Sequence, residues 1–172
     1  MPKSIPPKVL SGLKRQSNQE LNAAHGYLAM SIWCSVQNLK GFARFFAKQA
    51  DEEREHAAKI IDHLINRGVP PELEALPAPR QDFPALLDLV LHAEAMEQVN
   101  TQGIDAVFTA ALVENDYPAQ VLMHWFINEQ VEEEAWAAEL VDRVKHATCA
   151  GSLSDLDRHV EKLLASGGEK ED

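Results

Sequence analysis

Gln49-Ala50-Asp51-Glu52-Glu53-Arg54-Glu55-His56 sits at the centre of a stretch whose inward positions recur in steps of three and four: Phe42, Phe45, Gln49, Glu53, His56, Ile60 and Leu64. That spacing keeps one face of an α-helix together. The face is apolar at both ends, yet its middle carries a Glu-x-x-His pair. A core-facing stripe interrupted by a carboxylate and an imidazole needs a chemical reason, because buried charge is costly unless something compensates it.

The same period continues on both sides of this stretch. A first helix is expected over about 7–38, with the stripe Leu10, Leu13, Ser17, Glu20, Ala24, Tyr27, Ser31 and Cys34. Asn38-Leu39-Lys40-Gly41 reads as a turn, and the second helix then spans about 42–66, up to Arg67-Gly68. Pro70, Pro71, Pro77 and Pro79 exclude a regular helix over 67–82. A third helix is expected over about 83–114, with the stripe Leu87, Val90, Glu94, Glu97, Thr101, Ile104, Phe108 and Ala111. A fourth spans about 118–146 through Leu122, Phe126, Glu129/Gln130, Glu133, Ala137, Leu140 and Val144. A short amphipathic helix follows over about 153–165, with Ser152 and Asp155 at capping-box spacing, and 166–172 read as a disordered tail.

The connections are short, long and short. Short loops join antiparallel neighbours, while a connection of about 16 residues can run the length of a bundle and set helices two and three parallel. The expected fold is therefore all-α, a single domain over 1–172: a four-helix up-down bundle with one long crossover plus a short fifth C-terminal helix.

Composition narrows the function. The 172 residues are 45% hydrophobic and 25% charged, with 27 acids against 16 bases and a net charge of −11. A negative balance argues against nucleic acid and against an anionic membrane face. Two cysteines, Cys34 and Cys149, are too few for a disulfide framework and are expected to be reduced. No signal peptide or membrane span is read from the sequence, so a cytoplasmic location is the expectation.

Every long helix places acid on its inward stripe near its midpoint: Glu20, Glu53 with His56, Glu94 and Glu97, then Glu129, Gln130 and Glu133. In a bundle these levels coincide, and a bound dication relieves like-charge burial better than protonation does. Oxygen-rich ligands with a single imidazole favour iron or manganese over structural zinc. Where a generic di-iron bundle offers a second Glu-x-x-His, this chain has Gln130-x-x-Glu133. A weaker, more open half-site suits metal that passes through. Spacing alone leaves Glu94 and Glu97 undecided.

Glu20 with Tyr27, the run 49–56, Glu97, the turn Asn115-Asp116-Tyr117-Pro118, and Asn128-Glu129-Gln130-Val131-Glu132-Glu133-Glu134 together resemble a non-haem bacterial ferritin, over about residues 10–165. The resemblance implies a ferritin-like bundle with ferroxidase activity, oxidising Fe(II) to Fe(III) with dioxygen or hydrogen peroxide at a di-iron centre inside each subunit. Glu20, Glu53 and His56 would hold the first iron, Glu53 would bridge, and Glu97 and Glu133 would hold the second with Gln130 beside it. The resemblance thus selects Glu97 over Glu94. Tyr27 matches a tyrosine that hydrogen-bonds near the centre and donates an electron. A possible third iron site would use Glu52, Glu129 and Glu132 with Glu133. The ferric product would be stored as mineral inside a homo-oligomeric shell of 24 subunits.

The same comparison predicts absences. Arg54 and Glu133 stand where haem-binding relatives have a methionine and a histidine, so no haem is expected. Gln120 and Met123 interrupt the acidic threefold lining of animal ferritins. Trp33, Trp125 and Trp136 read as core or interface residues rather than redox relays. His63, His92, His146 and His159 fit no ligand spacing, and Cys34 reads as a buried small hydrophobe. The alternatives are a rubrerythrin-like di-iron oxidase or peroxidase, which would want two Glu-x-x-His pairs and a cysteine-bearing second domain, a non-catalytic helical bundle, and a DNA-protecting mini-ferritin.

Overall fold

A computed structural model describes residues 4–165. It contains helices α1 (Pro7–Val36), α2 (Lys40–Asn66), α3 (Leu86–Val113), α4 (Tyr117–His146) and α5 (Ala150–Ala165). Three of the helix ends follow one device. Asn38, Gly68 and Asn115 adopt positive φ of 60°, 75° and 53°. The next residue's N–H then reaches back to the third-last helical carbonyl: Leu39 to Cys34 at 2.9 Å, Val69 to Leu64 at 3.0 Å and Asp116 to Ala111 at 2.9 Å. These are Schellman closures, and they place glycine or asparagine where a left-handed residue is required.

Two helix starts lie three residues from the sequence reading, and α2 begins at Lys40 rather than near 42, taking in half of the expected turn. α3 begins at Leu86 rather than near 83, because Pro84 disfavours helical backbone at Phe83 and Ala85 is extended at φ −152°, ψ 165°. Phe83 is still buried, tucked under Trp33 at a ring-centroid distance of 6.0 Å. α5 begins at Ala150 rather than near 153, with Cys149 rather than Ser152 as its cap. The Cys149 N–H donates to Ser152 Oγ at 3.2 Å, and the Ser152 N–H donates to Cys149 Sγ at 3.5 Å. This is a reciprocal capping box shifted one turn earlier than expected. The tail expected over 166–172 lies outside the described residues.

Close approaches fix the helix directions. Gly12 lies against Val107, Gly103 against Gln16 and Gly26 against Met96, so α1 and α3 run antiparallel. A three-residue turn, 37–39, makes α1 and α2 antiparallel as well, which leaves α2 and α3 parallel. The crossover that allows this is extended, and Asn18 grips it in mid-course. Asn18 Nδ2 donates to the Glu72 carbonyl at 2.8 Å, and its Oδ1 accepts from the Glu74 N–H at 2.9 Å. At the α3–α4 turn Asp116 caps α4 through the Ala119 N–H, and also accepts from Arg67 at 2.8 Å.

The apolar core falls into two clusters. One gathers Tyr27, Met30, Phe42, Phe46, Val90, Leu140 and the α5 residues Leu156 and Val160. The other gathers Val9, Leu13, Ile60, Leu64, Ile104, Met123 and Phe126 at the far end. Between them the bundle interior is polar. α2 and α4 face each other across a groove of about 1340 Å³, whose lining includes Gln49, Glu52, His56, Trp125, Glu129 and Glu133. No helix among the described residues is long and apolar enough to cross a membrane.

Candidate metal centre

Three of the helix stripes place their polar residues inward as the periodicity requires. Glu20 on α1, Glu53 and His56 on α2, and Gln130 and Glu133 on α4 are all buried. On α3 the buried face is rotated toward α1. It runs through Leu89, Val90, Ala93, Glu97, Asn100, Ile104, Val107 and Ala111. The expected stripe members Glu94, Thr101 and Phe108 are only half-buried. The small residues Gly12 and Gly103 at the α1–α3 contact bring this side of α3 inward. Glu97 is 0% exposed, which separates it from Glu94.

One ligand atom from each of Glu20, Glu53 and His56 lies within 4.8 Å of the others, a three-residue group able to hold a metal ion. His56 Nδ1 is 3.4 Å from Glu53 Oε2 without hydrogen-bond geometry. Glu20 Oε2, Glu53 Oε2 and His56 Nδ1 are buried and have no hydrogen-bond partner. Buried polar atoms are otherwise almost always satisfied, and this donor set matches an oxygen-preferring cation with one imidazole.

Glu97 and Glu133 complete the interior from the other pair of helices. The Tyr27 hydroxyl donates to Glu97 Oε1. Gln130 Nε2 donates to Glu97 Oε2 at 3.2 Å and to Thr101 Oγ1 at 3.1 Å. The Trp136 indole N–H donates to Glu133 Oε2. Trp136, read from sequence as a packing residue, therefore also orients a carboxylate.

Of the other acids, Glu129 joins His56 and Glu133 in a second group whose ligand atoms lie within 4.8 Å of one another. Glu52 accepts from Gln49 Nε2 and lies 3.3 Å from Lys48 Nζ. Glu132 is exposed and lines the same groove. Trp125 stands edge-on to His56 at 5.5 Å, with Lys59 Nζ 4.2 Å from its ring centroid.

Electrostatics follow from this packing. Burial, then the neighbouring Glu53 charge, holds the Glu20 carboxyl well above the usual carboxylate range. Burial, then Glu97, does the same to Glu53 and to Glu133. Burial pushes Glu97 up to about 7, against the opposing pull of its bonds from Tyr27 and Gln130. Burial and the adjacent Glu97 also raise the Tyr27 phenol. Four carboxyls raised together describe a cavity that favours protons or a cation over empty carboxylates.

The sequence reading missed Gln16 and Asn100. Gln16 is 2% exposed and donates to Glu20 Oε1 at 2.8 Å. Asn100 is fully buried, accepts from Gln19 at 3.3 Å, and leaves its Nδ2 without a partner. The i, i+4 relation of Gln16 to Glu20 was the one available signal.

Fold and site together define a four-helix bundle with a buried carboxylate–imidazole centre. A ferritin-like domain profile matches residues 10–147. Bacterial non-heme ferritin of Staphylococcus aureus (strain MRSA252) is 39% identical over 127 residues, covering 74% of this chain and 76% of the relative. That of Staphylococcus saprophyticus is 37% identical over 135 residues, covering 78% and 81%. Among solved structures, an open-pore ferritin of Archaeoglobus fulgidus superposes with a TM-score of 0.88 at 31% identity, covering 91% of this chain and 98% of that one. A form of the same ferritin engineered to be closed gives 0.88 at 32%, covering 91% and 96%. The chain belongs to the ferritin family.

Proposed function

We propose that this ferritin subunit stores iron by oxidising Fe(II) to Fe(III) at the centre between its four long helices. The observation that carries the reading is the group of buried, unpartnered ligand atoms on Glu20, Glu53 and His56. Glu20, Glu53 and His56 take the first Fe(II). Glu53 reaches toward the second, which Glu97 and Glu133 hold, with Gln130 beside them. Each ion gives up one electron to dioxygen or hydrogen peroxide. Carboxylate ligands accommodate both oxidation levels of iron.

Tyr27 fixes the orientation of Glu97 and is placed to supply an electron. Gln130 has only an amide oxygen to offer a cation, and Trp136 engages one oxygen of Glu133. The second position is therefore held more loosely than the first, which suits release of ferric product. Glu52, Glu129 and Glu132, with Glu133, form a third iron position on the α2–α4 groove. The geometric grouping of Glu129 with Glu133 supports that position, and the groove gives Fe(III) a path away from the centre.

The product is collected by a shell of 24 subunits in the cytoplasm. The likeness to ferritins of known structure over nearly the whole chain supports such an assembly. The test is anaerobic loading with Fe(II) followed by rapid mixing with oxygen, for wild type and Glu53→Ala. Wild type should develop ferric absorbance with a saturable fast phase at about two irons per subunit, and the variant should lose that phase. Equal rates would remove Glu53 from the reaction. Size exclusion should give a species of hundreds of kilodaltons, and a stable monomer would contradict storage.

A further inference from the structure

The first iron position is shaped from outside by two residues that neither charge nor motif singles out. Gln16 lies one helical turn before Glu20 on α1, and its side chain is buried at the contact with α3. Its Nε2 donates to Glu20 Oε1 at 2.8 Å. The other oxygen, Glu20 Oε2, is buried and unpartnered within the group formed with Glu53 and His56. A carboxylate with one oxygen held by an amide and the other left free has its rotation fixed, with one ligand atom presented to the cavity.

Across the contact stands Gly103, in the interior of α3. Glycine is a poor choice there on helical grounds, because it is more flexible than alanine in the unfolded chain. A Cβ at this position would lie 1.9 Å from Gln16 Oε1, 3.0 Å from Cδ and 3.4 Å from Nε2. The amide of Gln16 therefore lies directly over the Gly103 α-carbon and occupies the space that any side chain at 103 would fill. Orientation is set as well. With Oε1 turned to the bare glycine, Nε2 is the atom that faces Glu20, and an amide donor there is complementary to a carboxylate.

We propose that Gln16 and Gly103 form a positioning pair, in which the missing side chain of Gly103 seats the Gln16 amide and the amide turns Glu20 so that its free oxygen is presented to the first iron. Groups one step removed from a metal act in this manner on ligand orientation, and losing one commonly weakens metal binding 10- to 100-fold. The pair rests on the ferroxidase reading of the Glu20–Glu53–His56 group, and its test separates the two.

The experiment measures anaerobic Fe(II) binding by calorimetry, with Zn(II) as a redox-silent check, on assembled protein. The variants are Gln16→Leu, Gly103→Ala, the double variant and Glu20→Ala. Gln16→Leu keeps the volume but removes the donor. Gly103→Ala keeps the donor but pushes the flexible amide off its seat. Each single variant should weaken the tighter binding step about 10- to 100-fold, with shell assembly and thermal midpoint close to wild type. A purely structural role would move the midpoint and leave site affinity alone.

The double variant should bind no more weakly than Gln16→Leu, because Gly103 acts only through the amide. Multiplying losses in the double variant would overturn the coupling, and wild-type affinity in Gln16→Leu would overturn the proposal. If Gln16→Leu does not assemble, Gly103→Ala decides, since it retains every polar group: wild-type affinity there is again the overturning result. Wild-type affinity in Glu20→Ala would remove the metal centre itself. Loss in Glu20→Ala with no loss in either neighbour would remove the positioning pair alone.

Discussion

The Tyr27 hydroxyl on α1 donates to Glu97 Oε1 on α3, and joins the apolar end of the bundle to its polar middle. The ring is fully buried, stacked on Phe46 at 6.0 Å and tilted against Trp136 at 6.2 Å. Packing therefore holds the phenol in place independently of the hydrogen bond.

For that reason Tyr27→Phe should retain the fold and lose about 1–3 kcal/mol of metal-free stability, the cost of leaving a buried acceptor, here Glu97 Oε1, without its donor. Iron should still bind. The fast oxidation phase should slow, because Glu97 loses one of the contacts that orient it. Chemical denaturation and stopped-flow absorbance on the same preparation check both parts.

Metal-free stability should fall as pH rises from 5 to 8. Glu20, Glu53, Glu97 and Glu133 all have raised carboxyl pKa values in the folded chain, Glu97 to about 7. A raised pKa means that the folded state holds protons the unfolded state has already released. The stabilisation is complete below the ordinary carboxylate range of about 4, and is lost as pH climbs through the folded value. A dication supplies the missing charge, so the rise in melting temperature on adding Zn(II) should be larger at pH 8 than at pH 5.5. Scanning calorimetry at the two pH values measures it.

Glu53→Gln should separate stability from function. It removes one of several like charges from the cavity, so the metal-free variant should melt higher than wild type at pH 8. In the proposed function the same change also removes an iron ligand, so fast iron oxidation should drop at least tenfold. A variant that melts lower and oxidises normally would contradict the like-charge account of this cavity.

At the Tyr27–Phe42 end of the bundle, α5 is seated on the start of α2. Asp157 Oδ1 accepts from the Phe42 N–H at 3.0 Å, which supplies the cap that Leu39 does not. A Cβ at residue 41 would lie 1.6 Å from the Asp157 carbonyl oxygen. Asp157→Ala should cost about 1 kcal/mol, as loss of a helix cap does. Gly41→Ala has only backbone to push against, so it should displace α5. Hydrogen exchange should then rise across 150–163 while α1, α3 and α4 keep their protection.

How much of each helix is legible in the sequence depends on which of its faces is buried. The inward faces of α1, α2 and α4 are legible because the three-and-four spacing runs through them unbroken, carried by large apolar residues on α2 and α4 and by small ones between Leu13 and Tyr27 on α1, so Glu20, Glu53, His56 and Glu133 fall on the buried side. On α3 the buried positions include the small or polar Ala93, Asn100 and Ala111, while half-buried Leu87 and Phe108 pull the apparent stripe aside. Periodicity does not separate Glu94 from Glu97 there; the family resemblance selects Glu97, and packing against α1 buries it. Gln16 and Gly103 escape the sequence for a different reason. Their roles depend on each other across two helices, and a glycine inside α3 or a glutamine one turn before Glu20 is only a weak signal within its own segment. The start of α5 was misplaced because a cysteine is not read as a helix cap.

The central claim is tested most directly by crystals of the protein soaked anaerobically in Fe(II), with anomalous scattering recorded at the iron edge. Two strong peaks are expected inside each subunit's bundle. One lies among Glu20, Glu53 and His56, and the other lies toward Glu97 and Glu133. Iron found only on the outer acids, with the interior carboxyls still empty, would contradict it.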